Sequence, residues 1–593
     1  MADIKKELND IKNAIYGRDV RGSIHDGIDK INKESEVSKQ KANEAHDVME
    51  SIINDGFDNA ALEANFEQKL DDEIGRLQPE WTQFKNDTQQ NFNDVTSQLN
   101  ETVKKNIFSV NVKDFGAIGD GITDDTETIN NAITYAHENG IEEVYVPKGV
   151  YMIKAHDGET IVYGLRGGIA LKDNIKLRLD VNTILKAIPN DNEGYNIIRA
   201  RNVENIKIIG GTIEGERNEH TGTTGEWGHG INIRDCTNVY INTKVINCWG
   251  DGIFLGGGSN PTINAIVENT ICDNNRRQGM SVVNVENIKV YNSVFSNTNG
   301  TYPEAGIDLE PSNLNESVIN VVIKDCYFEG NMKTGLLSHG KFGRIEDIFV
   351  ANCVFKNNES GVRLEEEYTK NIHLLNNKVY GSTFRGLTVS HNASNITIDG
   401  LTTIGENNQF RVDAGYNLVL RNSNVASVSI GSGVHHVDII NVTIYGVEGE
   451  SYGTYNDNSE HIRYIDCKFI GKTRFGLRFT DSSFIAIEGC LFEGMTEYAI
   501  RVNASNSIIK NNKFVDIGGI DSENVIFLDG FSHRNNISDN IARTRKSDKA
   551  TYGIRLSTLS QFNYIVNNDF YGSYSDDVVL SNEHINNIVE SNR

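Results

Sequence analysis

A chain of 593 residues is longer than one compact core needs, and a formal charge of −25 argues against nucleic acid as a partner. Seven cysteines without a C-x-x-C pair argue against a disulfide framework or zinc site, and no apolar run nears the ~18 residues that span a bilayer. Six prolines against 54 glycines favour long regular arrays with many tight turns.

The first residues, MADIKKELND, lack the apolar core of a signal peptide, so assembly in a cytoplasm without standard export is expected. Over residues 1–60, Ile4, Leu8, Ile11 and Ile15 form one helical stripe ended by Gly17, and Ile24, Ile28 and Ile31 form another. Over residues 61–108, Leu70, Ile74, Leu77, Trp81 and Phe84 step by 4, 3, 4 and 3, the a/d spacing of a coiled coil. Phe92, Val95, Leu99 and Val103 resume the stripe after a stutter. Such a seam is buried only by pairing, so this region is expected to self-associate. The stretch AIYGRDVRGSIHDGIDKINKE (14–34) resembles the N-terminal part of tail fibre and receptor-binding proteins of phages that infect Gram-positive bacteria. The resemblance implies a virion-attachment end whose partners are phage tail or collar proteins.

From residue 109 the period changes. VNVKDFGAIGDGITDDTETINNAITYAHENGIEEVYVPKGVYMI (110–153) reads strand, turn, helix, strand, with Thr123 or Asp124 as helix cap and an end near Gly140. Asp120, Asp124 and Asp125 are expected to serve turn and cap chemistry rather than a cation. The DFGA, GDG and DDT strings resemble the opening of the pectate-lyase-like superfamily, which implies a right-handed parallel β-helix over 109–593.

A repeat supports a stacked solenoid. One row reads Gly-apolar-x-apolar: GINI 230–233, GIFL 252–255, GMSV 279–282, GIDL 306–309, GLLS 335–338, GVRL 361–364 and GLTV 386–389. It returns as GLRF 476–479, AIRV 499–502 and GIRL 553–556. A second row ends in an aromatic, as in NSVF 292–295, DCYF 325–328, NCVF 352–355, DCKF 466–469 and GCLF 489–492. Cys326, Cys353, Cys467 and Cys490 share one slot of that row and read as a small buried ladder, not as ligands.

Stacking the first row in register places Asn232, Phe254, Ser281, Asp308, Leu337, Arg363 and Thr388 in one outward column. Glu310 then stands beside Asp308, and Glu365 beside Arg363. Two carboxylates at i and i+2 on a strand have α-carbons ~6.8 Å apart and repel one another, which separates a protonated acid from an ionised base. That separation falls near the ~6.5–9.5 Å used when one acid protonates a leaving oxygen and the other activates water. Asp308 and Glu310 are therefore the expected catalytic pair, facing a groove.

Neighbouring loops add aromatic and cationic groups. GGTIEGERNEHTGTTGEWGHG (210–230) carries Trp227 and His229, and CWGDGI (248–253) carries Trp249 and Asp251. NNRRQGMS (274–281) carries Arg276, Arg277 and Gln278, and NTNGTYPEAGIDLEP (297–311) carries Tyr302 and Glu304. Rings stack on sugar faces and guanidinium forks bind anionic oxygens, so these residues, with Arg363 and Glu365, are expected to bind a glycan or polyol-phosphate.

Together GEWGHGI, WGDGI, RRQG and AGIDLEP look like the catalytic region of β-helical phage tail spikes, above all the pre-neck appendages of small short-tailed phages, which degrade wall teichoic acid. The resemblance implies acid/base roles for Asp308 and Glu310 and a supporting role for Asp251. It also implies a homotrimeric tail appendage of the virion that cuts a host cell-wall polymer by hydrolysis, with no membrane partner. Unlike polygalacturonase-type glycosidases, the chain has Gly228-His229-Gly230 ahead of its aspartates and no RIK string. Alternatives are a non-cleaving adhesin and a Ca2+-dependent lyase with Arg277 or Arg363 as base. No metal or other cofactor is required, although Ca2+ is compatible with the lyase reading.

Overall fold

The computed structural model describes residue 90 and residues 109–593, apart from 157–166, 259, 406, 447–451, 519–523, 545–549 and 575–585. Except for Gln90, the helical region expected over 1–60 and the coiled coil expected over 61–108 lie outside the described residues. The compact unit Ile107–Arg593 is a parallel β-solenoid of about 17 turns. No helix among the described residues is long and apolar enough to cross a membrane.

The solenoid opens with a strand, a 3-10 turn over Val112–Phe115 and one α-helix, α1 (Thr126–Glu138), whose Ile129, Ala132, Ile133 and Ala136 are buried. The N-cap position of α1 is Asp125, one or two residues later than expected. Its buried carboxylate turns away from the helix and accepts from the amides of Ile118 and Gly119 at 2.6 and 3.0 Å. Asp124 instead accepts from the Thr126 amide at 3.0 Å, and Asp120 from Ile122 and Thr123. The three aspartates therefore do turn and cap chemistry, as expected.

Thereafter the expected outward column is observed. Seven strands carry it: β1 (Trp227–Arg234), β2 (Ile253–Gly256), β3 (Gln278–Val282), β4 (Ala305–Leu309), β5 (Thr334–His339), β6 (Ser360–Glu365) and β7 (Arg385–Ser390). Parallel pairing sets Asn232 opposite Phe254, then Ser281, Asp308, Leu337, Arg363 and Thr388. The glycine heading each repeat is there because neighbouring coils approach closely. A Cβ on Gly306 would lie 2.7 Å from the carbonyl oxygen of Gly335 and 2.9 Å from the ring of Phe328.

The interior is built from the same repeats. Phe295, Phe328 and Phe355 stack at 5.4 and 4.7 Å, and Phe469, Phe492 and Phe514 at 4.4 and 5.2 Å. Each such ring contributes about 1.5–3 kcal/mol by leaving water. All seven cysteines are free and buried, and for Cys326, Cys353, Cys467 and Cys490 this is what their shared slot implied. Inside the turns, Asn512, Asn540, Asn568 and Asn592 pass a hydrogen bond from coil to coil, so buried amides are not left unpaired.

Candidate active site around Arg277

Register brings four coils together at Arg277, which precedes β3. Its Nη1 lies 3.3 Å from both carboxylate oxygens of Asp251 and 3.4 Å from Ser281 Oγ. Its Nε lies 3.3 Å from Glu226 Oε2, and its Nη2 lies 3.7 Å from Glu310 Oε2. Asp251 also accepts from Ser281 Oγ at 2.9 Å, and His229 Nδ1 sits 3.5 Å away. Below Glu310, Asp308 Oδ2 accepts from Gln278 Nε2 at 2.6 Å.

The cluster is sorted by depth. Asp251 and Asp308 are fully buried, whereas the side chains of Glu226 and Glu310 are 35% and 37% exposed. Burial, and then the charge of Glu310, push the Asp308 carboxyl well above the usual carboxylate range, which favours its protonated form. Its Oδ1 lacks a hydrogen-bond acceptor or donor of its own. Burial likewise pushes Asp251 up to about 6, against the pull of Arg277 and Ser281. Burial alone disfavours a charged Arg277, but Asp251, Asp308, Glu226 and Glu310 outweigh it and push its pKa up. Arg277 therefore remains a cation in the ligand-free protein. Burial, with Arg234 and Arg277, holds His229 well below the usual imidazole range and so neutral.

Several sequence expectations need correction. Asp308 does not face a groove: Arg277, Gln278 and Glu310 cover it, because long side chains one coil earlier fold over the short aspartate. Gln278 and His229 are buried too and orient the cluster instead of touching a polymer. Trp249 is committed to internal partners. Its ring stacks on His220 at 3.8 Å and holds the Arg276 guanidinium at 3.8 Å, while its Nε1 donates to Thr224 O. Arg276 donates to Gly225 O at 2.6 Å, pinning the 217–226 loop. Glu304 is buried in its own loop, where it accepts from the Gly300 amide.

Other expected residues stay at or near the surface. Trp227 is half-buried beside Glu226 at the start of β1. Tyr302 is exposed, with Lys333 5.4 Å from its ring. Arg363 and Glu365 form a separate pair at 2.7 Å, joined by His339 at 3.6 Å. The Glu365 carboxylate pushes His339 up, with a contribution from the charge of Glu310. Sequence reasoning missed Glu226 and His339. Glu226 lies inside the GEWGHG string, but only the folded loop brings it to Arg277. His339 follows the GLLS repeat at the same offset as Glu310 follows GIDL, a signal present in the row.

No cluster of three or more His, Cys, Asp or Glu side chains suited to hold a metal ion occurs among the described residues.

Comparison with known proteins agrees with this fold. Residues 109–302 match the family described as rhamnogalacturonase A/epimerase, pectate lyase-like, and residues 426–593 match the right-handed β-helix region. The chain has homologues among phage pre-neck appendage proteins. It is 24% identical to that of Bacillus phage phi29 over 500 residues, covering 70% of this chain and 54% of the relative. It is also 34% identical to the protein YclG of Bacillus subtilis strain 168 over 258 residues, covering 40% of this chain and 44% of the relative. The crystal structure of an N-terminal fragment of phi29 gene product 12 aligns with a TM-score of 0.49 at 18% identity, covering 84% of this chain and 94% of the fragment. The chain spans about half the length of the curated relatives it matches.

Proposed function

We propose that this chain is a subunit of a virion tail appendage that binds and depolymerises a host cell-surface polymer, wall teichoic acid or a polysaccharide, by acid/base hydrolysis. The pre-neck appendage relatives and the pectate-lyase-like match support a carbohydrate-processing appendage. The observation that carries the chemistry is one half-buried cation, Arg277, in contact with two solvent-facing carboxylates, Glu226 and Glu310.

Hydrolysis needs one group to protonate the leaving oxygen and one to take a proton from water. Glu310 and Glu226 are the carboxylates of the cluster that reach solvent, so these two roles fall to them. Asp308 is a positioning residue in this reading. Its raised pKa favours the neutral form, which keeps Glu310 from sharing its site with a second negative charge. Arg277 holds an anionic or leaving oxygen of the polymer. Because it stays protonated, β-elimination with Arg277 as base is disfavoured. Homotrimer formation and attachment to tail or collar proteins through residues 1–108 complete the proposal.

A second reading, adhesion without cutting, draws support from a concavity of about 610 Å3 far along the solenoid, away from Arg277. Incubating the protein and its Glu310→Gln variant with host walls separates the two. Release of phosphate, glycerol or reducing ends by the wild type and its loss in the variant supports hydrolysis. Binding without release from any wall polymer sinks it in favour of adhesion.

A further inference from the structure

A regular ladder runs along one corner of the solenoid, with Asp347 as one of its rungs, and it gives way to larger side chains at His436, His461 and Phe484 and again at Arg534 and Phe562. Asn174, Asn205, Asn238, Asn264, Asn287 and Asn320 all adopt left-handed backbone, with φ from 55° to 61°. Each amide donates to the asparagine one coil before it. The pattern resumes through Asn371, Asn395 and Asn417. Asparagine suits such a position because its short amide tolerates positive φ and pairs with its copies.

The next three rungs are His436, His461 and Phe484, at φ of 58°, 55° and 56°. A bulky aromatic residue rarely adopts this backbone. Their rings stack on one another, His436 on His461 at 4.7 Å and His461 on Phe484 at 4.8 Å. All three are exposed, Phe484 by 47%. Asn506 follows as the next rung. Histidine, like asparagine, tolerates this backbone, so Phe484 is the strained rung of the three, and all three put rings in water instead of in the core.

These rings form one wall of the 610 Å3 concavity. The other wall is the outward column two residues further along each strand: Val419, Asp438, Arg463, Ala486 and Ile508, in register. The groove thus follows the solenoid axis for five coils, about 19 Å at the usual strand spacing. Small Ala486 leaves it open beside Phe484. Its two charged residues cancel, since the Arg463 fork grips Asp438 through Nε at 2.5 Å. Asn417, whose amide donates to Asn395, and Asn506 close the ends with polar side chains.

We propose that this groove is a second, non-catalytic binding site for a linear uncharged oligosaccharide segment. Ring edges and aliphatic side chains match the C–H surfaces of pyranose rings, while amides and a charge-paired fork match their hydroxyls. A protein carrying a charge of −25 with a locally neutral groove selects against a polyanion there. The inference does not depend on the Arg277 cluster being catalytic.

The test restores the ladder. The triple variant His436→Asn, His461→Asn, Phe484→Asn of the full chain is compared with wild type by calorimetric titration with cellohexaose, chitohexaose and maltohexaose, and by thermal unfolding. At least one hexasaccharide binds wild type at millimolar concentration and binds the variant at least tenfold more weakly. The variant melts at an equal or higher temperature, because asparagine fits the backbone and rejoins the ladder. Glu310→Gln binds the same hexasaccharide as wild type does, so loss of cleavage and loss of this site are separable. No binding to wild type, equal binding to the variant, a lower melting temperature, or loss of self-association in the variant each overturns the proposal. The last two would make the rings structural or a contact between copies.

Discussion

Two stretches of one solenoid treat the same backbone in opposite ways. The coils from Glu226 to Glu310 bury charge, placing Asp251 and Asp308 under Arg277 and Gln278. The coils from Tyr416 to Asn506 expose rings, lining an open groove with His436, His461 and Phe484. Both use outward positions on the strands and at the turns beside them, and neither needs an insertion into the core. A parallel solenoid therefore separates scaffold from chemistry: inward residues stack alike in every coil, and outward residues are free to differ.

The contrast is broken most severely at Glu310. Glu310→Gln keeps the shape of the cluster and should lower polymer turnover by roughly 10²–10⁴-fold, the usual share of general acid–base catalysis, with unchanged melting temperature. Assays of released phosphate or reducing ends check this, and retained turnover would move the chemistry to Glu226.

Arg277→Met should be next in size. It leaves buried carboxylates without their cation, so denaturant unfolding should show a loss of about 3 kcal/mol. A much smaller loss would mean that Asp251 simply takes up a proton when Arg277 is removed.

Asp308→Asn sharpens the division between a touching and a positioning residue. Asparagine can still accept from Gln278 and keeps the shape of the side chain, so folding should be preserved. Turnover should fall by no more than about tenfold, equivalent to about 1.4 kcal/mol of barrier. A loss as large as that of Glu310→Gln would make Asp308 the acid after all.

The pH dependence follows from Asp251. Its folded pKa of about 6 exceeds the ordinary 3.8, so between these values the folded state holds more protons than the unfolded state. Its contribution is full below 3.8 and is lost as pH rises through about 6. Asp251→Asn removes this slope, and the stability difference should shift towards the variant as pH rises across that window. Urea unfolding at several pH values reads the shift, and parallel curves would refute it.

The smallest effect belongs to the exposed counterpart of Arg277. Arg463→Met breaks a pair in which Arg463 is 50% exposed, and should cost about 0.5 kcal/mol. A cost equal to that of Arg277→Met would erase the distinction between the two regions.

Much of the fold is legible in local pattern because the solenoid repeats. Gly306 and Gly335 mark the same close approach in successive coils, so aligning their repeats suffices to place Ser281, Asp308, Leu337 and Arg363 in one column. The third row was less visible. Asparagine at positions 371, 395 and 417 gives way to His436, His461 and Phe484, and that exception is recognisable only once the ladder is seen.

Periodicity by itself determined the parallel stack, its register and the residues that share a face, since each depends on neighbours one coil away. Tertiary structure alone decided depth. An outward position is exposed only if nothing folds over it, and Asp308 lies beneath Arg277 and Gln278 while Glu310, two residues on, reaches water. Loop 217–226 supplies Glu226 through a path that no strand period encodes. Burial, charge state and reach depend on which long side chains and loops converge in space, and strand spacing carries no record of that convergence.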